Sequence, residues 1–144
     1  MFIALLLGSQ VPSQIIDYRI EMRDSRGVVA RPVIKVRANQ TAEITVFDRS
    51  SKKISFKVAP ELLGDEITNH IEVKLTLNFG LTKPIKSDRL VVSTFRTHSG
   101  QTMYMLFTQD KDGWRSGDWL WEKPRHKVAR GEYMLTMNAA VETK

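Results

Sequence analysis

All three tryptophans of the chain, Trp114, Trp119 and Trp121, fall within eight positions, and a basic run follows: Lys123, Arg125, His126, Lys127 and Arg130. Indoles interleaved with cations suit one kind of chemistry. The flat ring stacks on a sugar or a base while the neighbouring charge holds an anion. Trp119 and Trp121 are two apart, so a strand would set both rings on one face as a platform. The ligand-binding set expected here is Trp114, Arg115, Trp119, Trp121 and Arg125. Its expected ligand is a glycan, peptidoglycan included, or another anionic molecule; nucleic acid ranks lower. The competing expectation is that the indoles plug a core, as aromatic side chains commonly do, and the cations are solvated.

Catalytic constellations do not form. His70, His98 and His126 sit in or beside different strands and loops, with no close pair to chelate a metal. Asp65-Glu66 and Asp110/Asp112 fall in turns, where Asp caps backbone N–H groups. "DKDG" (110–113) lacks the further ligands and closing glutamate of a calcium loop. A phosphate-cradling glycine loop, a G-x-S-x-G elbow and a zinc-protease helix are all missing. With no cysteine in the chain, disulfides, thiolate metal sites and cysteine nucleophiles are excluded. The expectation is therefore a non-enzymatic protein with no catalytic residue, metal or cofactor.

The elements that must position the aromatic and basic stretch read as strands, because the dominant period is two. In "IEVKLTLNF" Ile71, Val73, Leu75, Leu77 and Phe79 share one face, and Glu72, Lys74, Thr76 and Asn78 the other. "YRIEMR", "RPVIKVR", "AEITV" and "ISFKV" alternate in the same way. "LVVSTFRT" and "TMYMLF" are apolar on both sides, as a central strand would be. "EYMLTM" sets Tyr133, Leu135 and Met137 against Met134 and Thr136. Turn-prone residues separate these segments at short intervals, among them Ser25-Arg26-Gly27, Gly64-Asp65 and Ser99-Gly100. About eight short strands so spaced predict an all-β fold, a single-domain antiparallel β-sandwich. The one helix candidate is "APELLGDEI", where Pro60 opens a single turn and Gly64 closes it; a connecting loop is the alternative.

At 144 residues the chain suits one domain. Residues 13–144 are assigned to the sandwich, and residues 1–12 to either a truncated signal segment or a first strand. Phe2 to Leu7 are apolar but too short to span a bilayer, which takes about 20 residues. Read as a signal segment they imply a periplasmic or secreted protein, and read as a strand a cytoplasmic one. No later apolar run approaches spanning length. The formal charge of +6 favours anionic surroundings.

Residues 33–106 resemble the β-domain of bacterial secretins, the outer-membrane channels of type II and type III secretion and of type IV pili. "VIKVRANQTAEITV" carries Asn39, Gln40 and Ala42 of the family's turn-strand. "ISFKVAPELLGDE" carries Val58 and Pro60. "RLVVSTFRTHSGQTMYML" carries Thr94, Gly100, Gln101 and Thr102 of its closing hairpin. The glycine expected after Asn39 is absent, and Met105-Leu106 replaces the glycines that usually follow the final apolar pair. The resemblance implies protein partners in a bacterial envelope assembly, joined by edge-strand pairing. Two functions follow: assembly by protein–protein contact, or a small module that grips a glycan or other anion.

Overall fold

The computed structural model describes residues 14–48, 52–77, 86–111, 113–125 and 127–142. Ten strands are present among these residues: β1 (Ile15–Asp24), β2 (Gly27–Ala30), β3 (Val33–Arg37), β4 (Ala42–Phe47), β5 (Lys53–Leu63), β6 (Glu66–Leu77), β7 (Lys86–His98), β8 (Gln101–Asp110), β9 (Gly113–Ser116) and β10 (Glu132–Val141). No helix occurs among the described residues, and so none long and apolar enough to cross a membrane. The strands form two antiparallel sheets. One runs β2-β1-β10-β8-β9, with β3 also on β1; the other runs β4-β5-β6-β7. The chain is an all-β sandwich, as its alternation predicts.

The period-two faces become the core. Tyr18, Ile20 and Met22 of β1 and Leu135, Met137 and Ala139 of β10 face Ile54, Phe56 and Val58 of β5 and Ile71 and Val73 of β6, all buried. Inside this apolar layer one polar link joins the sheets. Tyr18 donates to Asn69 Oδ1 at 2.7 Å, and Asn69 Nδ2 donates to Thr97 Oγ1 at 3.0 Å. Burial pushes the Tyr18 hydroxyl well above its ordinary value, so it stays a donor.

Four expectations are corrected. The described residues form ten strands and not about eight: β2 and β9, four residues each, are too short to show alternation. "APELLGDEI" is neither a helix nor a loop but the end of β5, the Gly64-Asp65 turn and the start of β6. Pro60 is tolerated within β5 because β4 begins at Ala42, opposite Val58, and reaches no farther along β5, so no ladder bond is lost on that side. Its carbonyl there accepts instead from the Asn39 N–H at 2.8 Å.

"LVVSTFRT" is an edge strand and not a central one. Its register on β6 slips between Val73 and Lys74, which pair with Val91 and Arg89 and leave Leu90 as the extra residue. This bulge turns neighbouring Leu90 and Val91 both inward, whereas Val92 is exposed.

The Ser99-Gly100 turn does not close a hairpin. β7 and β8 belong to different sheets, so the turn is a corner. "RANQ" is a second corner, from β3 in one sheet to β4 in the other. Each uses a left-handed residue, Asn39 at φ 65° and Gly100 at φ 86°, to swing the chain across. The apolar run Phe2–Leu7, Phe79 of the alternating face, Asp112 and His126 lie outside the described residues.

Candidate functional site

The three tryptophans arise from one edge of the first sheet and are sent to different places. Trp114, on β9, is half-buried against Phe107 and Tyr133, with ring centroids at 5.8 and 5.3 Å. β9 pairs with β8 in a constant register, Gly117 N–H continues it by donating to the Leu106 carbonyl at 2.8 Å, and Leu120 then bridges Tyr104. That last pairing is one residue out of step. The extra residue lies at Asp118-Trp119, and the resulting bulge carries the Trp119 ring across to β7 in the other sheet. There it stacks on Phe95 at 4.2 Å and donates through Nε1 to Ser93 Oγ at 2.9 Å. Gly117 permits the approach: a Cβ on it would sit 3.0 Å from the Leu106 carbonyl oxygen.

Trp119 therefore seals the sandwich edge between β7 and β8. Trp121, past the bridge, is 77% exposed. The platform expected from Trp119 and Trp121 together does not form, because Phe95 occupies one ring and the other stands in solvent. Arg115 is exposed on β9 opposite Thr108 and lines neither groove described below.

Beyond Trp121 the connection to β10 folds over the outer face of the first sheet. Pro124 and Val128 line a groove together with Met134, which is only 5% exposed although it alternates with the core-facing Leu135. The opposite wall is the β1–β2 turn, Arg23 to Gly27. The groove holds about 470 Å³, and an adjoining recess lined by Arg26, Arg130 and Tyr133 holds about 500 Å³. Together they gather Arg23, Arg26, Lys123, Arg125, Lys127 and Arg130 against, among the described residues, one lining carboxylate, Asp24.

Electrostatic neutralisation is uneven. Arg23 is held by Glu21 at 2.6 Å, which Arg31 also reaches at 3.1 Å. Burial acts to raise the Glu21 carboxyl, but the hydrogen bonds and charges of these two arginines outweigh it and hold the group below the usual range. Lys123, Arg125, Lys127 and Arg130 have no ion-pair partner among the described residues. At the floor of the recess, burial raises the Tyr133 hydroxyl, and Asp24 and Asp48 add to this against the opposing charge of Arg26.

The basic run from Lys123 to Arg130 was visible in sequence. Arg23 and Arg26 were not, since they lie about a hundred residues upstream; the only signal was the Ser25-Arg26-Gly27 turn.

The residues that carried the family resemblance hold corners and ladders. Asn39 and Gln40 make the β3–β4 corner, with Gln40 N–H donating to the Arg37 carbonyl at 3.1 Å. Gly100 N–H donates to the Ala139 carbonyl at 2.8 Å, Gln101 Oε1 accepts from the His98 N–H at 3.1 Å, and Thr102 Oγ1 accepts from Asn138 Nδ2 at 2.9 Å.

Thr94 has a different neighbour. On the outer face of the second sheet, His70 Nδ1 meets Thr94 Oγ1 at 2.9 Å and Nε2 meets Glu61 Oε2 at 2.5 Å. The order carboxylate, imidazole, hydroxyl matches that of a nucleophile with its base. The His70 and Glu61 side chains are 43% and 63% exposed on an open sheet face. Both side chains are open to solvent, and among the described residues no cleft encloses them, whereas covalent catalysis of this kind needs a site that excludes water and donors for an oxyanion. The trio is a cross-strand tie from β5 to β7. No cluster of three His, Asp or Glu suited to a metal occurs among the described residues.

No family model, curated protein or solved structure matches the chain.

Proposed function

We propose that the chain is a non-enzymatic binding module whose basic groove, between the β1–β2 turn and the β9–β10 connection, holds an anionic ligand. One observation carries this reading: four cations of a single connection, without ion-pair partners among the described residues, are folded back against Arg23 and Arg26. Holding like charges together costs free energy that an anion would recover. The test is calorimetric titration with inorganic polyphosphate. Arg125→Gln/Lys127→Gln should weaken binding about tenfold or more, which is roughly 1.4 kcal/mol. The double variant Lys35→Gln/Lys57→Gln removes the same charge from exposed sites outside the groove and should change affinity less than twofold. Equal losses would mean that net charge alone attracts the ligand. Raising salt should weaken wild-type binding, since screening sets in within about 10 Å at 0.1 M.

Assembly by protein–protein contact, as in a secretin-like envelope complex, is a second reading, and β4 favours it. Among the described residues β4 pairs only with β5, and Phe47 at its end is 64% exposed. An open edge of this kind is a template for strand addition.

A further inference from the structure

Trp121 is the one indole left open, at 77% exposure, and it does not stand alone. It lines a shallow groove of about 200 Å³ at the β7–β8 corner with Glu66, Arg96, Thr97, His98, Gln101 and Met103. The floor is fixed, because Thr97 and Met103 are 2% and 8% exposed and Thr97 is tied to the buried Asn69. The rim is polar and uncommitted. Gln101 uses its Oε1 on the His98 N–H, and its amide NH₂ makes no hydrogen bond among the described residues. The Arg96 and His98 side chains are 75% and 70% exposed, with only long contacts of 3.8 Å to Glu66 and Asp65.

A flat apolar ring beside a dry floor, edged by donors and acceptors, matches a pyranose, which has an apolar C–H face and a belt of hydroxyls. The groove is smaller than the roughly 300–1,000 Å³ of drug-sized pockets, so it takes a single ring. Lys123, which opens the basic groove, is two residues from Trp121, at most about 7 Å of chain. We infer that Trp121 is a sugar-stacking subsite at the end of the basic groove, and that the ligand is an acidic polysaccharide whose rings and charges engage the two in succession. This inference rests on the anion-binding reading above. Single-stranded nucleic acid also combines rings with charge, but its binding stacks successive bases on successive aromatics. Here the rings of Trp114 and Trp119 are already occupied by Phe107, Tyr133 and Phe95.

The test compares a linear hexamer of galacturonic acid with polyphosphate of equal charge, read by calorimetry and by tryptophan emission. Trp121→Ala, at an exposed position, should keep the wild-type urea midpoint. It should weaken the hexamer at least tenfold, abolish the emission change and leave polyphosphate within twofold. Arg125→Gln/Lys127→Gln should weaken both ligands. If the hexamer fails to bind wild type, or binds Trp121→Ala as tightly, the subsite is overturned whatever polyphosphate does. Equal weakening of polyphosphate by Trp121→Ala overturns it too. So does a pyrimidine oligonucleotide of equal charge that binds more tightly than the hexamer through Trp121. If Trp121→Ala alone matters and the groove variant binds both ligands normally, stacking on Trp121 stands, but the anion-binding reading falls and with it the acidic ligand that spans the two.

Discussion

Removing one oxygen from the middle of the sandwich should cost more than its size suggests. Tyr18 and Asn69 are fully buried and Thr97 nearly so, and Tyr18 is the donor that Asn69 Oδ1 has across the sheets at 2.7 Å. Tyr18→Phe keeps the ring and its packing but leaves that acceptor buried and unpaired. The penalty for such a group is about 1–3 kcal/mol, so about 2 kcal/mol is expected. For a domain of this size that is a fall in Tm of roughly 4–8 °C. Asn69→Val alone leaves the Tyr18 and Thr97 hydroxyls without their partner and should cost at least as much. The double variant should cost less than the sum, with a coupling of roughly 0.5–3 kcal/mol, because the second change removes a group the first had stranded. Urea unfolding of the four proteins gives all the terms. If Tyr18→Phe is neutral, or the two changes add strictly, the cross-sheet link contributes nothing and the reasoning fails.

The same tyrosine sets a pH dependence. Its folded value is raised above the ordinary 10.0 of the unfolded chain. The contribution is complete below pH 10 and is lost as pH rises above it, because only the unfolded chain then releases the proton. The slope approaches about 1.4 kcal/mol per pH unit. Urea midpoints from pH 9 to 11 should fall in wild type and fall less steeply in Tyr18→Phe; parallel curves would contradict this. Gly117→Ala should destabilise by about 1–3 kcal/mol, since its Cβ would press on the Leu106 carbonyl. Acrylamide should quench mainly Trp121 in wild type, and in Gly117→Ala the Trp119 ring should also become accessible as the bulge loosens. Unchanged quenching would show that the bulge does not hold Trp119 in place.

Legibility in the sequence followed from how local each cause was. Alternation in "YRIEMR" and "ISFKV" is a property of single strands, and the faces it named, Tyr18-Ile20-Met22 and Ile54-Phe56-Val58, are the buried ones. Leu90 and Val91 look like a central strand because two adjacent apolar residues have two explanations, burial on both faces or a bulge. Only the register against β6 separates them. Gly100 marks a turn, but whether the turn closes a hairpin or crosses between sheets depends on which partner β8 finds, and that partner is β10, three dozen residues away. The candidate site divides in the same way. The cations of 123–130 could be read directly. Their convergence on Arg23 and Arg26 could not, and neither could the one-residue slip that sends Trp119 inward and leaves Trp121 outside.

The most direct check on the groove is a ¹⁵N-resolved NMR titration of the whole chain with polyphosphate. Saturable shift changes confined to the backbone amides of Arg23–Gly27 and Lys123–Arg130 are expected. Changes spread evenly over exposed lysines such as Lys35 and Lys57, with no focus on those two segments, would contradict a built anion site.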